Sequence, residues 1–383
     1  MTATTSPPIG GTVQPGFERV RDAFVENFTR GDDEAELGAA LAVYHRGRCV
    51  VDLWGGYTSP ARTAEWARDS LVNVWSATKG VVAVAVAMLV DQGRLSYDDK
   101  VATYWPEFAA GGKGGITVAQ MMSHQAGLNG FLEPTAIEDF QDWTKVTERL
   151  ASQAPFWPPG TLASYHALTY GFLAGELIRR VTGQDPGGFV RDSIAGPLGA
   201  DIHIGLPQGL DWRVVQIVGP TEATIGGPDV GEIPARAVKN PKPDAEAPNQ
   251  RAWRATQIPA ANGQASAQGL ARVYGALANG GEIDGIRLMS PSGIDQLRLP
   301  RHAGPDQLLG PRKWAAGVSL DVAPTYGPLA ETFGHTGWGG AFGCANVEQG
   351  VGIGYVMNRM AARLVGNPRG ANLAGAIFAA VGA

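Results

Sequence analysis

The sequence is short of the residues that mark several large classes of protein. Only two cysteines, Cys49 and Cys344, occur in 383 residues, so no disulfide framework holds the chain and a reducing cytoplasm suits it. Both fall in strand-forming runs, where two buried free thiols are expected. No block of five or six lysines or arginines appears, and the net charge is -5 with a pI near 5.7. Nucleic acid needs clustered positive charge and is not an expected partner. The longest apolar run, Val81 to Val90, falls short of the roughly 20 residues that span a bilayer, so a membrane is not an expected partner either. The opening stretch, MTATTSPPIGGTVQPGF, has neither the basic nor the apolar region of a secretory signal and reads as a flexible arm. H-E-x-x-H, C-x-x-C and Asp-rich loops are missing, so no metal and no cofactor is expected. The glycine-rich stretch Gly111 to Gly115 lacks the spacing of a phosphate loop and reads as a plain loop.

What is present points to a compact molecule with much buried surface. Hydrophobic residues make up 44% and charged ones only 17%, and 53 glycines are scattered without a period, which implies many tight loops. The length exceeds what one core usually supports, so two lobes are expected. Residues 18–30 carry Val20, Phe24 and Phe28 four apart, a helical stripe. Runs 39–45 and 49–54 flank Arg46-Gly47-Arg48 as a hairpin. A helix is predicted from Ala77 to Gln92, ended by Gly93 in the position where a left-handed residue is needed. TVAQMMSHQAGL and LTYGFLAGELIRRVTG (Leu168 to Gly183) read as helices, and Ser266 caps another that ends at Gly280-Gly281. Residues 219–250 read as a long loop. Strands are predicted at 313–320, 341–347 and 351–357, and a last helix at 371–381. Strands at both ends with helices between suggest an α/β domain built from 1–94 and 257–383, interrupted by a mainly helical domain, 95–256.

Three short stretches carry chemistry. In VWSATKG, Ser76 and Lys79 are three apart, so a helix puts the amine beside the hydroxyl. Serine needs such a partner to lose its proton, and a helix start adds free N–H groups. The alternative for Ser76 is a plain helix cap. In WPPGTLASYHALTYG, a loop delivers Tyr165 to a helix start, where a tyrosine sharing a proton with a lysine serves as a general base; packing is the alternative, and it is the role assigned to Tyr170. In FGHTGWGGAFG, five glycines in eleven residues bring backbone close to something. A strand-edge N–H there, with that of Ser76, would make an oxyanion hole; a simple hairpin turn is the alternative.

The order S-x-x-K, Tyr, H-T-G resembles the penicillin-recognising serine hydrolases, in particular the class C β-lactamase-like branch and its family VIII carboxylesterases. VVDLWGGY, GRLSYDDKVATYWPEF, MMSHQAGL and GPLGADIHIGLP extend the resemblance over nearly the whole chain. It implies a β-lactamase/transpeptidase-like fold, α/β (α+β) in class: a mainly antiparallel sheet flanked by helices plus a mostly helical lobe, with the active site between them. It implies Ser76 as acylated nucleophile, Lys79 as its proton partner and Tyr165 as base, with the N–H groups of Ser76 and Trp338 as oxyanion hole. His335, Thr336 and Gly337 match the family's K-T-G, and its Y-x-N asparagine is here Ala167. Losing that amide and that lysine points away from charged amides and toward small-molecule esters. Trp75, Trp157, Trp338 and Phe342 flank the motifs as candidate walls of an acyl pocket, with His335 and Gly337 as substrate contacts. A carboxylesterase is expected. A weak β-lactamase, a D-amino-acid peptidase or amidase, an acyltransferase and a non-catalytic binding homologue are the alternatives.

Overall fold

Apolar runs from the two ends of the chain pair with each other. The computed structural model describes residues 7–31, 35–220 and 231–382. Ile9–Val13 (β1), Gly38–His45 (β2) and Arg48–Gly56 (β3) come from the N-terminal end. His302–Asp306 (β4), Gly310–Trp314 (β5), Ser319–Leu320 (β6), Phe333–Thr336 (β7), Phe342–Asn346 (β8) and Val351–Met357 (β9) come from the C-terminal end. They form one antiparallel nine-stranded sheet in the order β1-β3-β2-β9-β8-β7-β6-β5-β4. The seam between the two ends is β2 against β9, with Leu41 opposite Tyr355. β2, GAALAVYH, is apolar along nearly its whole length because helices cover both faces of the sheet.

Glu18–Thr29 (α1) and Pro368–Ala380 (α8) pack on each other over one face. Between them in sequence lie Ala77–Asp91 (α2), Val118–Met122 (α3), Trp143–Ser152 (α4), Thr169–Thr182 (α5), Glu232–Lys239 (α6) and Ala267–Ala278 (α7). α7 covers β2, β8 and β9 on the other face, while α2 touches β7 and β8 on one side and α5 on the other. α2 is therefore enclosed all round: every residue from Ala77 to Leu89 is buried. A polar stripe would have nowhere to face, which explains the unbroken apolar run from Val81 to Val90. Three short strands, Val72–Asn73, Gln264–Ala265 and Ile202–His203, pair beside its start.

Several expectations need correction. Part of the supposed flexible arm, Ile9–Val13, is an edge strand; residues 1–6 lie outside the described residues. The run 313–320 is two strands, β5 and β6, folded back at Gly317 (φ +88°). TVAQMMSHQAGL is helical only over α3, since His124 adopts a left-handed φ of +64°. The expected loop 219–250 contains α6, and its residues 221–230 lie outside the described residues. The last helix begins at Pro368 rather than 371, with Asn367 capping it. Cys344 is buried but Cys49 only half-buried, and both are free. Cys49 on β3 and Cys344 on β8 stand three strand spacings apart, about 14 Å, beyond disulfide reach.

Candidate active site

The stretch that carries Ser76 is bent sharply just before α2. Trp75 holds a φ of +48°, uncommon for so bulky a residue, and the chain then enters the helix at Ser76. Ser76 occupies the N-cap position, yet its hydroxyl makes no cap bond. It meets Lys79 instead, whose Nζ lies 3.0 Å from Oγ. The same Nζ donates to the carbonyls of Ala167 at 2.7 Å and Ala260 at 2.8 Å. Carbonyl oxygens only accept, so two of the amine's hydrogens are committed. Complete burial of Lys79 disfavours its charged form and lowers its pKa well below the ordinary lysine value. A neutral amine has two hydrogens and one lone pair, and the lone pair is then left for the Ser76 hydroxyl.

Tyr165 is placed by the sheet edge. Its backbone N–H donates to Asp306 Oδ1 at 3.2 Å, and the same oxygen accepts from the N–H groups of Leu308 and Leu309. Asp306 Oδ2 takes the Trp314 indole N–H at 3.1 Å, and the Trp314 ring stacks on Tyr165 with centroids 5.8 Å apart. The phenol hydrogen-bonds the Ser76 side chain, and Lys79 Nζ lies 4.8 Å from the ring centroid. Burial raises the Tyr165 pKa above the ordinary tyrosine value, so the residue is a phenol at neutral pH. Behind it stand two buried histidines. His166 carries its proton on Nδ1, facing the Ser164 carbonyl at 2.8 Å, and burial lowers its pKa to about 3. His124 Nδ1 accepts from the His166 N–H and is held neutral the same way. Tyr170 is buried among these rings.

β7 brings the third element. A Cβ on Gly337 would stand 2.2 Å from the Val74 carbonyl oxygen, so only glycine lets this strand end lie against the nucleophile stretch. The turn that follows carries Trp338. The backbone N–H groups of Ser76 and Trp338 donate to no other described residue. Trp75 packs between Trp338 and Trp253, with centroids 5.0 and 5.5 Å away. His335 Nδ1 faces the Thr336 carbonyl at 2.8 Å and therefore bears the proton, while Nε2 is buried without a partner among the described residues. Burial, then Lys79 and Arg312, lower its pKa to about 3. It is a neutral ring presenting a lone pair.

Ser76, Tyr165, His335 and Thr336 line one small cavity together with Leu309, Arg312, Trp314, Ser319, Leu364 and Val365. Its volume is about 10 Å³, room for little more than a water molecule. Trp75 and Trp338 stand beside it. Trp157 and Phe342 do not line it: the Trp157 indole donates to Leu162 O and its ring faces His166, while Phe342 lies between Tyr326 and Tyr355 in the core. Arg312, Trp314 and Leu309 were not foreseen. The alternation Arg312, Lys313, Trp314 in a strand was the available signal, since residues two apart share a face. Among the described residues no group of three His, Cys, Asp or Glu is placed to hold a metal.

The chain resembles known proteins over most of its length. The family described as Beta-lactamase matches residues 22–376. Esterase/beta-lactamase LipL of Mycobacterium tuberculosis is 38% identical over 369 residues, covering 93% of this chain and 84% of that protein. Among solved structures, a family VIII carboxylesterase has a TM-score of 0.92 at 42% identity, covering 97% of this chain and 100% of that one. A penicillin-binding protein homologue from Caulobacter crescentus gives 0.91 at 42% identity over the same shares.

Proposed function

This chain belongs to the beta-lactamase family, and from that premise we propose that it is a serine carboxylesterase. It acts on small-molecule esters of short to medium acyl length through a Ser76 acyl-enzyme. The observation that carries this reading is the Lys79 amine, 3.0 Å from Ser76 Oγ with its two other contacts spent on carbonyls. Lys79 takes the Ser76 proton as Oγ attacks the ester carbon, and the oxyanion is held by the N–H groups of Ser76 and Trp338. On collapse the bond to the alcohol oxygen breaks. Tyr165 gives its proton to that oxygen and is reprotonated from Lys79. Water then reverses the sequence and frees the acid. This order uses Lys79 as the base for acylation and Tyr165 as the acid, because burial keeps Tyr165 a phenol at neutral pH, with a proton to give and no phenolate to accept one; the sequence alone suggests the other order, with Tyr165 as base.

Esterase-named relatives support the substrate class, and so does the absence of an amide side chain at Ala167. Arg312 favours a second reading, a side activity on β-lactams, because it gives the pocket a positive charge that His335 does not. No described helix is long and apolar enough to cross a membrane; with two free thiols, this supports a cytoplasmic location. The test compares turnover of 4-nitrophenyl butyrate and a chromogenic cephalosporin by the wild type and Ser76→Ala. Ester cleavage that vanishes in the variant, with little cephalosporin turnover, is expected. The reverse preference would make the chain a β-lactamase, and activity surviving in Ser76→Ala would remove Ser76 as nucleophile.

A further inference from the structure

The wall of the catalytic pocket holds two polar groups that nothing in the described structure satisfies. His335 Nε2 is a buried lone pair with no donor in reach, because Nδ1 holds the proton against the Thr336 carbonyl. Arg312 is half-buried, lines the same pocket, and has no carboxylate or carbonyl partner among the described residues. β5 places Arg312 two residues before Trp314, hence on the face that stacks on Tyr165. The His335 and Tyr165 rings are 6.1 Å apart, as are those of His335 and Trp314. The pocket lining therefore includes one acceptor and one set of donors, carried by strands whose rings pack around Tyr165.

We infer that His335 and Arg312 together bind a hydroxyl group on the alcohol half of the ester, so that the substrates are mono-esters of diols and polyols. This rests on the esterase reading above. A hydroxyl is the simplest group that fits both partners, donating to His335 Nε2 while accepting from the Arg312 guanidinium. A carboxylate would suit Arg312 but would turn its lone pairs on that of His335. A methyl group would leave both groups unpaired. The assignment to the alcohol half follows from Tyr165, which protonates the departing oxygen and so faces the leaving group. A site built to hydrogen-bond a hydroxyl discriminates by leaving its own buried groups unpaired when the hydroxyl is missing.

The experiment measures kcat and KM, by titration of released butyrate, for three near-isosteric esters: 2-hydroxyethyl butyrate, propyl butyrate and the carboxymethyl ester. 4-Nitrophenyl butyrate serves as a reference. The wild type is expected to favour 2-hydroxyethyl over propyl butyrate in kcat/KM by about tenfold or more, expressed mainly in KM. His335→Phe removes the acceptor and Arg312→Met the donor; each should bring the ratio toward one, and Arg312→Lys should retain part of it. Arg312→Met, on a half-buried strand position, keeps the test available should His335→Phe fail to fold. A wild-type ratio near one overturns the inference, as does preference for the carboxymethyl ester or a ratio unmoved in Arg312→Met. So does cleavage of the reference ester without that of either neutral alkyl ester. If the reference too is untouched, the esterase reading falls with it.

Discussion

At Lys79 the proposed chemistry rests on a single nitrogen. Its burial puts the neutral amine within reach at ordinary pH, and the sign of the pH dependence follows. A lysine with a lowered pKa is neutral above that value and charged below it, so activity is present above it and is lost as pH falls through it. Tyr165 is held a phenol beyond the ordinary tyrosine value, so it adds no falling limb in the neutral range. The expected profile of kcat/KM on a nitrophenyl ester therefore rises once, well below pH 10, and then stays level. A rising limb centred above pH 9 would mean that Lys79 is charged in the free enzyme near neutral pH, so that burial does not supply a ready base. Lys79→Arg, which cannot give up its proton, should lose about 10³-fold or more, and Tyr165→Phe about 10²–10⁴-fold. Ser76 and Lys79 were legible in the sequence because three-residue spacing fixes their contact locally. The burial of the Tyr165 phenol was not, since it depends on Trp314 from a strand far along the chain.

The same division between local and distant holds for whole elements. α2, β2 and the hairpin at Arg46-Gly47 were readable because their signals lie within a few residues: an apolar run, a closing glycine, a turn with left-handed φ at both positions. β4, HAGPD, was not readable, since it has proline and glycine where strand formers are expected. It is tolerated as the outermost strand of the sheet, where a missing donor costs nothing. The meeting of β7 with the nucleophile stretch is likewise a tertiary fact, recorded in sequence only as a glycine. Gly337→Ala tests it. The added carbon would stand 2.2 Å from the Val74 carbonyl oxygen, a backbone atom with little freedom to move. One of the two must shift, and either shift widens the gap between the Ser76 and Trp338 N–H groups. Loss of one oxyanion donor costs about 10²–10³ in kcat. Overpacking adds roughly 1–3 kcal/mol of destabilisation. Gly337→Ala should therefore lower kcat about a hundredfold while KM changes little. An unchanged kcat would show that the oxyanion hole does not depend on this contact.

Across the whole molecule, a buried ion pair ties the two chain ends to the turn that carries Trp338. Glu36, just before β2, pairs with Arg369 at the start of α8 at 2.8 Å, and Tyr355 of β9 also bonds the Glu36 carboxylate. Both ionic side chains are essentially inaccessible to solvent. Burial is the larger influence on Glu36 and raises its pKa despite Arg369 and Tyr355. The guanidinium continues to the carbonyls of Arg359 at 2.9 Å and Gly339 at 3.3 Å. Gly339 follows Trp338 directly, so this buried anchor comes within one residue of the proposed oxyanion hole. Replacing such a pair by apolar side chains can be neutral, but removing one member strands the other charge. Glu36→Ala should thus cost about 3–5 kcal/mol, lowering Tm by on the order of 10 °C. Glu36→Gln, which keeps a hydrogen-bond acceptor, should cost less. If Arg369 also positions the Gly339 turn, the folded fraction of Glu36→Ala will show a reduced kcat at a temperature well below its own Tm. A lower Tm with kcat at the wild-type level would assign the pair to stability alone. A reduced kcat with KM unchanged would make it part of what holds Trp338 in place.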